Sequence, residues 1–331
     1  MTTGIRVLPP QLASQIAAGE VVERPASVVK ELVENALDAG ARTVSIETEE
    51  GGSLKILVAD DGDGIAPDEI SLALARHATS KLTSMEDLDS IRTLGFRGEA
   101  LASIAAVARI QLTSRSRAES SGMRLKAENG RTGKPAPVGA PQGTVVTVED
   151  LFFNVPARRK FLKSPGSERR LIEALTGRYA LAYPAVRFRL VQDGRESFSS
   201  TGSGDRREVL AAVFGVDAAQ RMIDLSAAEW EGPVRVSGFV SPTDLSRANR
   251  REVLLFVNGR SITDPALATA VVQAYHTLLM VGRYPFGAIF IELPPEEVDV
   301  NVHPAKAEVR FRSPDSVFSA VQRAVRQALL G

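Results

Sequence analysis

The fold of the first half of this chain is decided by residues 26–39, ASVVKELVENALDA. Their apolar positions recur at helical spacing, which predicts a helix with one buried side. Pro25 suits the first helical turn, and Gly40 supplies the stop. The opposite face carries a polar triplet at i, i+4 and i+7, formed by Glu31, Asn35 and Asp38. The helix therefore presents two carboxylates and one amide, which fits a ligand site but also an ordinary surface helix.

The segment after this helix predicts a β-hairpin that ends in a glycine-rich turn. Residues 43–59 alternate as two strands around a turn, and DDGDG follows at 60–64. Gly62 and Gly64 permit positive φ and allow a ligand to approach the backbone closely. A carboxylate fixed at a strand end, Asp60, can accept a hydrogen bond from an exocyclic amine. An ordinary Asp-Gly turn is the alternative explanation of the same sequence.

Two further glycine segments complete the set of candidate binding motifs. Residues 94–101, LGFRGEAL, run from a glycine loop into a helix predicted over 99–106, and such a loop next to a helix N-terminus forms an anion site. Gly143 and Thr144 open another predicted strand. No G-x-x-x-x-G-K-[ST] sequence occurs, so a P-loop is not predicted. The three histidines are far apart in sequence and form no close metal-ligand pair.

The remaining pattern predicts an α+β protein with two domains. An amphipathic stretch over 11–18 is stopped by Gly19, residues 70–75 are expected to be helical, and the Gly- and Pro-rich residues 114–143 are expected to form loops. A small polar linker at 199–204 marks the boundary. Beyond it the pattern predicts strands over 234–240, 253–257 and 287–293, and helices over 207–214, 265–279 and 316–330.

Composition limits the class of protein. The 331 residues are 44% hydrophobic and 24% charged, with no cysteine, and no run reaches the roughly 18 apolar residues of a membrane span. Residues 1–10 lack an apolar segment, so neither a secretory signal nor membrane association is expected. Residues 151–210 hold 12 Lys or Arg against six Asp or Glu, a local balance of +6 in a chain of zero net charge. Such a segment is either a patch for phosphates or a solvated face.

The motifs, taken in order, resemble those of the GHKL ATPases. Longer strings are similar to the MutL family of DNA mismatch repair proteins; they are QIAAGEVV (15–22), RHATSK (76–81), GFRGEAL (95–101), PARRKF (156–161) and VDVNVHPAK (298–306). The similarity covers nearly the whole chain. It implies that residues 1–203 form a GHKL (Bergerat-type) ATPase α/β sandwich, which includes an N-terminal arm and a lid. Residues 204–331 would then form a ribosomal-protein-S5-domain-2-like transducer domain.

This resemblance implies a slow, Mg²⁺-dependent ATPase. Glu31 would activate the attacking water, and Lys306 would reach the γ-phosphate from the second domain. Asn35 would hold Mg²⁺ against the phosphates, and Asp60 would accept the adenine amine, which favours ATP over GTP. Asp38 would support the pocket. The other nucleotide-binding residues that the resemblance implies are Gly62, Gly64, Thr79, Leu94, Gly95, Phe96, Arg97, Gly98, Glu99, Ala100, Leu101, Thr144 and Asn301.

The resemblance also implies a nucleotide-gated clamp. ATP would order the lid and residues 1–19, and two chains would then pair as a homodimer that binds DNA largely without regard to sequence. The residues implied to contact DNA are Arg158, Arg159, Lys160 and Arg260. One departure from the family is Asp61, where relatives often carry Asn; it adds a negative charge beside Asp60, with a small expected effect.

The family resemblance extends to partners and cellular setting. It implies interaction with the mismatch recognition protein MutS and with downstream repair factors such as a helicase, a nuclease or a sliding clamp, in the bacterial cytoplasm near the nucleoid. It also implies that the chain is the N-terminal part of a longer protein. Two alternatives stay open: a type II topoisomerase-like ATPase subunit, and a DNA-binding scaffold with an inert nucleotide site.

Overall fold

A computed structural model describes residues 7, 9–81, 93–95, 98–225, 232–300, 302 and 308–331. Four predicted nucleotide-binding residues lie outside the described residues: Phe96, Arg97, Asn301 and Lys306. The described chain divides into two compact units. The first contains the described residues up to residue 81 and those of Arg92–Thr176 and Ala185–Ser203; the second contains Gly177–Pro184 and the described residues of Gly204–Gly331.

The first unit consists of helices around one large sheet. Its helices are α1 (Pro10–Val21), α2 (Pro25–Asp38), α3 (Ala100–Val107), α4 (Pro156–Phe161) and the greater part of α5 (Pro165–Ala182). Its strands are β1 (Thr43–Glu49), β2 (Lys55–Asp60), β3 (Arg109–Arg115), β4 (Gly122–Glu128), β5 (Arg131–Thr132), β6 (Ala136–Val138), β7 (Gly143–Glu149), β8 (Arg187–Gln192) and β9 (Arg195–Ser199). Short 3₁₀ turns span Glu50–Gly52 and Leu72–Leu74.

Helix α2 forms as its sequence predicts and packs against β1 and β2. Its apolar face is fully enclosed: Val28 and Val29 are 0% exposed and Leu32 is 3% exposed. Each of these side chains contributes roughly 1.5–3 kcal/mol by leaving water, so this face fixes the rotation of the helix. The polar triplet of α2 consequently points away from the sheet core toward the loops that follow β2.

The sheet brings β2 and β7 together although the sequence separates them. Among the described residues the strand order is β5-β4-β3-β7-β2-β1-β8-β9, and β6 pairs with β4. Strands β2 and β7 are antiparallel, with Asp60 opposite Thr144. Strand β8 pairs with β1 in parallel, so the sheet is mixed. This register places the end of β2 and the start of β7 at one edge, next to α2.

The second unit packs helices on a five-stranded sheet. Its elements are α6 (Arg206–Phe214), α7 (Val216–Arg221), β10 (Ile223–Asp224), β11 (Arg235–Val240), β12 (Val253–Val257), β13 (Arg260–Ile262), α8 (Pro265–Ala274), β14 (Gly287–Glu292), a 3₁₀ turn (Pro295–Glu297), β15 (Val298–Asp299), β16 (Arg310–Phe311) and α9 (Pro314–Leu330). Within the described residues the sheet order is β10-β11-β14-β12-β13. Helices α8 and α9 pack together over an apolar core that includes Val257, Ile289 and Val321, all 0% exposed.

Residues 114–143 are not loops, and the prediction for this segment was wrong. They contain β4, β5 and β6. Gly122 is the first residue of β4 and not part of a turn. Glycine is needed there because a Cβ would lie 2.8 Å from the Ala140 Cβ. Pro137 lies in β6 opposite Met123, at the margin of the sheet, where a missing N–H costs little.

Three predicted helices also differ from the structure. Residues 70–75 contain only the 3₁₀ turn Leu72–Leu74, because Ala75 is already extended at φ −80° and ψ 147°. The helix predicted over 265–279 ends at Ala274, and Thr277 takes a positive φ of 71° that no helix tolerates. Helix α1 does not stop at Gly19 but continues to Val21.

Candidate functional site

A partly buried carboxylate, Asp60, stands at the end of β2. Asp60 accepts a hydrogen bond from the Gly62 N–H at 2.9 Å, and the Thr144 N–H also donates to it. Burial raises the pKa of Asp60 to about 6, with the nearby Asp61 carboxylate adding to the rise and the two N–H donors opposing it. A partly buried acceptor at this edge of the sheet is suited to a hydrogen-bond donor on a ligand.

Asp61 has a structural role. Its Oδ1 accepts hydrogen bonds from the backbone N–H of Arg42 at 2.7 Å and of Thr43 at 2.8 Å. Desolvation acts to raise the pKa of Asp61, but these N–H donors outweigh it and hold the pKa below its ordinary value. The charge predicted beside Asp60 is therefore tied to the start of β1.

The glycines around Asp60 are there because backbone approaches too closely for a side chain. A Cβ on Gly143 would lie 2.0 Å from the Asp60 carbonyl oxygen, and one on Gly64 would lie 2.1 Å from the Arg115 carbonyl oxygen. Both have positive φ, 108° and 73°. A Cβ on Gly62 would meet the Ala39 carbonyl oxygen at 2.7 Å. The predicted glycine turn is thus a tight crossing of backbone segments beside Asp60.

Sequence reasoning missed Ser114, which ties three parts of this edge together. Its hydroxyl, on β3, accepts a hydrogen bond from the Ile65 N–H at 2.8 Å and donates to the Gly143 carbonyl at 3.0 Å. The Thr144 hydroxyl lies 2.9 Å away. Ser114 is 1% exposed, and nothing in its local sequence marks it. Its contacts hold the predicted nucleotide-binding residue Thr144 in place.

The polar face of α2 is joined to the start of the predicted lid. Asp38 accepts hydrogen bonds from the Leu94 N–H at 2.8 Å and from the Gly95 N–H at 3.0 Å. The Lys81 Nζ lies 2.6 Å from Asp38 Oδ2 and 2.9 Å from Asn35 Oδ1. Lys81 was not among the predicted site residues, although it closes the RHATSK string; its long-range pairing could not be read from that string.

This arrangement is compatible with a divalent cation. The Lys81 ammonium lies where a metal ion could bind, between the Asn35 amide oxygen and an Asp38 carboxylate oxygen. Both are hard oxygen donors of the kind that Mg²⁺ prefers. Within the described ranges no group of three His, Cys, Asp or Glu side chains could hold a metal. A metal at Asn35 would therefore need further oxygens from a bound ligand such as a polyphosphate.

Glu31 lies one turn earlier on the same helix. Its side chain is 14% exposed, and its Oε1 lies 3.2 Å from the Lys30 Nζ, which also lies 2.9 Å from Glu34 Oε1. Burial acts to lower the pKa of Lys30, but the two carboxylates outweigh it and raise the pKa above its ordinary value. Glu31 is therefore a partly accessible carboxylate beside a cation that stays charged.

The far end of the predicted lid rests on the RHATSK segment. Gly98 has φ 60°, and a Cβ there would lie 2.4 Å from the Ala78 carbonyl oxygen. The Thr79 hydroxyl accepts a hydrogen bond from the Lys81 N–H at 3.1 Å. The predicted residues Glu99, Ala100 and Leu101 lie at the start of α3.

The predicted DNA contacts divide into three kinds. Arg159 and Lys160 are exposed on α4, as a DNA contact requires. Arg158 points to α1 instead, and its Nη1 donates to the Val22 carbonyl at 3.3 Å. Arg260 is 8% exposed, so its DNA role is withdrawn: a guanidinium enclosed in the second unit is not presented to a phosphate backbone.

Three features define an ATPase fold of the GHKL class. They are a sheet covered by α2, an acidic acceptor at the end of β2 and a glycine loop anchored on Asp38. Residues 23–138 match the family model described as histidine kinase-, DNA gyrase B- and HSP90-like ATPase, and residues 210–330 match the model described as DNA mismatch repair protein, C-terminal domain. The chain belongs to the MutL family of DNA mismatch repair proteins.

Individual relatives support this assignment. The chain is 50% identical over 325 residues to a DNA mismatch repair protein MutL of Desulforudis audaxviator, covering 98% of this chain and 57% of the relative. It is 47% identical over 322 residues to a MutL of Streptococcus pneumoniae, covering 97% of this chain and 49% of the relative. The chain thus spans about half the length of these curated relatives.

A solved structure agrees with the fold. The Aquifex aeolicus MutL ATPase domain complexed with ADP is 32% identical, with a TM-score of 0.65 over 83% of this chain and 94% of that chain. The predicted fold, a GHKL α/β sandwich followed by an S5-like domain, is confirmed. No helix in the part of the chain that the structure describes is long and apolar enough to cross a membrane.

Proposed function

We propose that this chain binds ATP with Mg²⁺ and hydrolyses it slowly, and that it serves DNA mismatch repair as a nucleotide-gated homodimer. The observation that carries the proposal is the joining of three motifs around one helix. Asp38 of α2 holds the N–H groups of Leu94 and Gly95, while the Asp60 carboxylate stands at the adjoining strand end. Adenine and phosphate contacts are thus offered from neighbouring elements. The match of residues 210–330 to a mismatch repair model favours this role over a topoisomerase-like subunit.

The proposed roles follow from the chemistry of each group. Asp60 accepts a hydrogen bond from the adenine amine. Guanine has no amine at that position and would leave the partly buried carboxylate unpaired, so the site favours ATP over GTP. Gly62, Gly64 and Thr144 would shape the base pocket, and Thr79 would lie near the base. The Asn35 side-chain oxygen would hold the metal ion, which would spread the negative charge of the phosphates when bound.

The catalytic roles are assigned to two groups. Glu31 takes a proton from the attacking water, a role that suits a carboxylate on the same face as Asn35. Lys306 would contact the terminal phosphate, and Asn301 would contact the nucleotide. The remaining phosphate contacts are proposed for the lid backbone, formed by Leu94, Gly95, Phe96, Arg97, Gly98, Glu99, Ala100 and Leu101.

The wider role is also proposed from the relatives. The chain binds DNA mainly through phosphates, and Arg159 and Lys160, which are both exposed, are the proposed contacts. In the full-length protein it acts in the bacterial cytoplasm, near the nucleoid, with MutS and with a helicase, nuclease or sliding clamp.

Glu31→Ala tests the catalytic assignment. We expect phosphate release to fall by roughly 10²–10⁴-fold, because the general base is lost. Binding of a fluorescent ATP analogue should change only a few-fold, since Glu31 makes no proposed contact to the nucleotide. Glu49→Ala removes a carboxylate from a surface pair with Lys55 and is the matched control. Turnover equal to that of the control would refute the role of Glu31, and absence of phosphate release from the wild type would favour the inert scaffold.

A further inference from the structure

Helix α4 is exposed along its length except at one residue. Pro156, Ala157, Arg159, Lys160 and Phe161 are all exposed, and only Arg158 is half-buried. A helix of six residues without a buried side chain has little to hold it in place. Arg158 is therefore the most enclosed side chain of α4.

The contact of Arg158 is with the end of α1. Its Nη1 donates to the Val22 carbonyl at 3.3 Å, just beyond the last turn of that helix. Its guanidinium also covers Gly19, where a Cβ would lie 1.3 Å from Nη2. This explains why α1 contains a glycine in its interior, where helix propensity disfavours one.

The electrostatics of α1 favour the same contact. The C-terminal end of a helix carries partial negative charge from carbonyl groups that lack intrahelical partners. The last turn of α1 has no basic residue of its own. Arg158 supplies the missing cation from a different element, at a half-buried position where such an interaction is stronger than on an open surface.

We infer that Arg158 is a positioning residue that fixes the arm helix α1 to the basic helix α4, so that DNA binding at Arg159 and Lys160 stabilises α1. Adjacent arginines thus have opposite assignments: Arg159 binds DNA, whereas Arg158 holds the arm. Because α1 packs on α3, the helix that follows the lid, an ordered α4 also supports the lid side of the nucleotide site. The DNA part of this inference rests on the proposed function, but the contact between Arg158 and α1 does not.

Hydrogen exchange of the α1 amides tests the contact without DNA. Arg158→Ala should speed exchange in residues 15–21 by on the order of tenfold, as expected for loss of a charge-assisted hydrogen bond. Arg159→Ala removes the same charge one residue away and should leave that exchange unchanged. Equal exchange in the two variants would show that Arg158 does not hold α1.

Gly19→Ala tests the same contact from the other side. Alanine raises helix propensity, so an isolated effect on α1 would slow exchange. The added methyl group displaces the Arg158 guanidinium, however, and we expect faster exchange instead. In the Arg158→Ala background the guanidinium is already absent, so Gly19→Ala should there slow exchange through helix propensity, the opposite of its effect in the wild type. Slower exchange in Gly19→Ala would overturn the inference.

Salt-dependent DNA binding separates the two arginines. Arg159→Ala should reduce the slope of log affinity against log salt by about 0.9, the amount for one phosphate contact. Arg158→Ala should leave the slope unchanged, and saturating duplex DNA should slow α1 exchange in the wild type and in Arg159→Ala but not in Arg158→Ala. A reduced slope in Arg158→Ala would make it a DNA contact and overturn the inference. If the wild type binds no DNA, the proposed DNA role fails, while the exchange measurements without DNA still decide the contact.

Discussion

Asp60 is the proposed adenine acceptor, and its charge destabilises the folded protein when no nucleotide is bound. Burial raises its pKa to about 6 from its ordinary value of 3.8. The folded protein therefore holds this proton more tightly than the unfolded chain does, and the associated stability, present below about pH 4, is lost as the pH rises through about 6. The shift of about two units corresponds to a cost of about 3 kcal/mol for keeping the ionised carboxylate folded at neutral pH.

Asp60→Asn is expected to change stability and affinity in opposite directions. Urea unfolding of the nucleotide-free variant at pH 7 should give a free energy of unfolding up to about 3 kcal/mol above that of the wild type, with the gap closing near pH 4. Affinity for an ATP analogue at pH 7.5 should fall by roughly ten- to a hundredfold, because the charged acceptor is lost. A variant with unchanged stability and unchanged affinity would contradict both roles of this carboxylate.

Lys81 occupies the position of a cation, and its removal should free that position. In Lys81→Met the oxygens of Asn35 and Asp38 lose their ammonium partner. We expect Mn²⁺, followed by electron paramagnetic resonance in the presence of a non-hydrolysable ATP analogue, to bind roughly tenfold more tightly, the equivalent of ~1.4 kcal/mol. Lys55→Met, which opens a surface pair with Glu49, is the control. Equal Mn²⁺ affinity in both variants would show that Lys81 does not occupy a metal-binding position.

At the scale of elements, the crossing of β2 and β7 depends on Gly143. With φ 108° and a hypothetical Cβ 2.0 Å from the Asp60 carbonyl oxygen, alanine cannot be accepted without moving β2. Gly143→Ala should lower the free energy of unfolding by more than about 3 kcal/mol and abolish analogue binding. Gly139→Ala, at an exposed glycine with no atom within 4 Å of the added Cβ, should change neither quantity. Similar urea curves for the two variants would show that the crossing is adaptable.

Elements were predictable where local pattern and tertiary packing agree. Helix α2 follows its apolar spacing almost residue by residue, because that spacing is also its contact surface with β1 and β2. Strands β4 to β6 were missed because a segment rich in Gly and Pro, which includes Gly122 and Pro137, predicts loops. Their actual reasons, a close approach of strands and a place at the sheet margin, depend on neighbours that no local window contains.

The site divides in the same way. Asp60 and the α2 triplet could be selected from position alone, at a strand end and on one helical face. The hydrogen bonds from Lys81 and Leu94 to Asp38 join residues 43 and 56 positions apart, and Ser114 lies 49 positions from Ile65. Such pairings follow from the strand order, which periodicity does not specify.

At the scale of the whole molecule, the proposed switch predicts a change of oligomeric state. Light scattering should show a monomer in the absence of nucleotide and a dimer with a non-hydrolysable ATP analogue and Mg²⁺. Gly143→Ala should stay monomeric under both conditions, because it cannot bind the analogue, while Gly139→Ala should dimerise. A wild-type mass that does not respond to saturating analogue would leave an ATPase without a nucleotide-gated clamp.

Helix α5 belongs to both units, and this has a consequence for how the gene can be divided. Its residues up to Thr176 group with the first unit and those from Gly177 with the second, after which the chain returns to supply β8 and β9. A segment beginning at residue 204 would lack Pro184, whose carbonyl accepts a hydrogen bond from the Gly204 N–H. A segment ending at residue 176 would lack β8, the parallel neighbour of β1. A division at either point takes hydrogen-bonded neighbours away from one unit, so we expect neither segment to be stable when it is expressed alone.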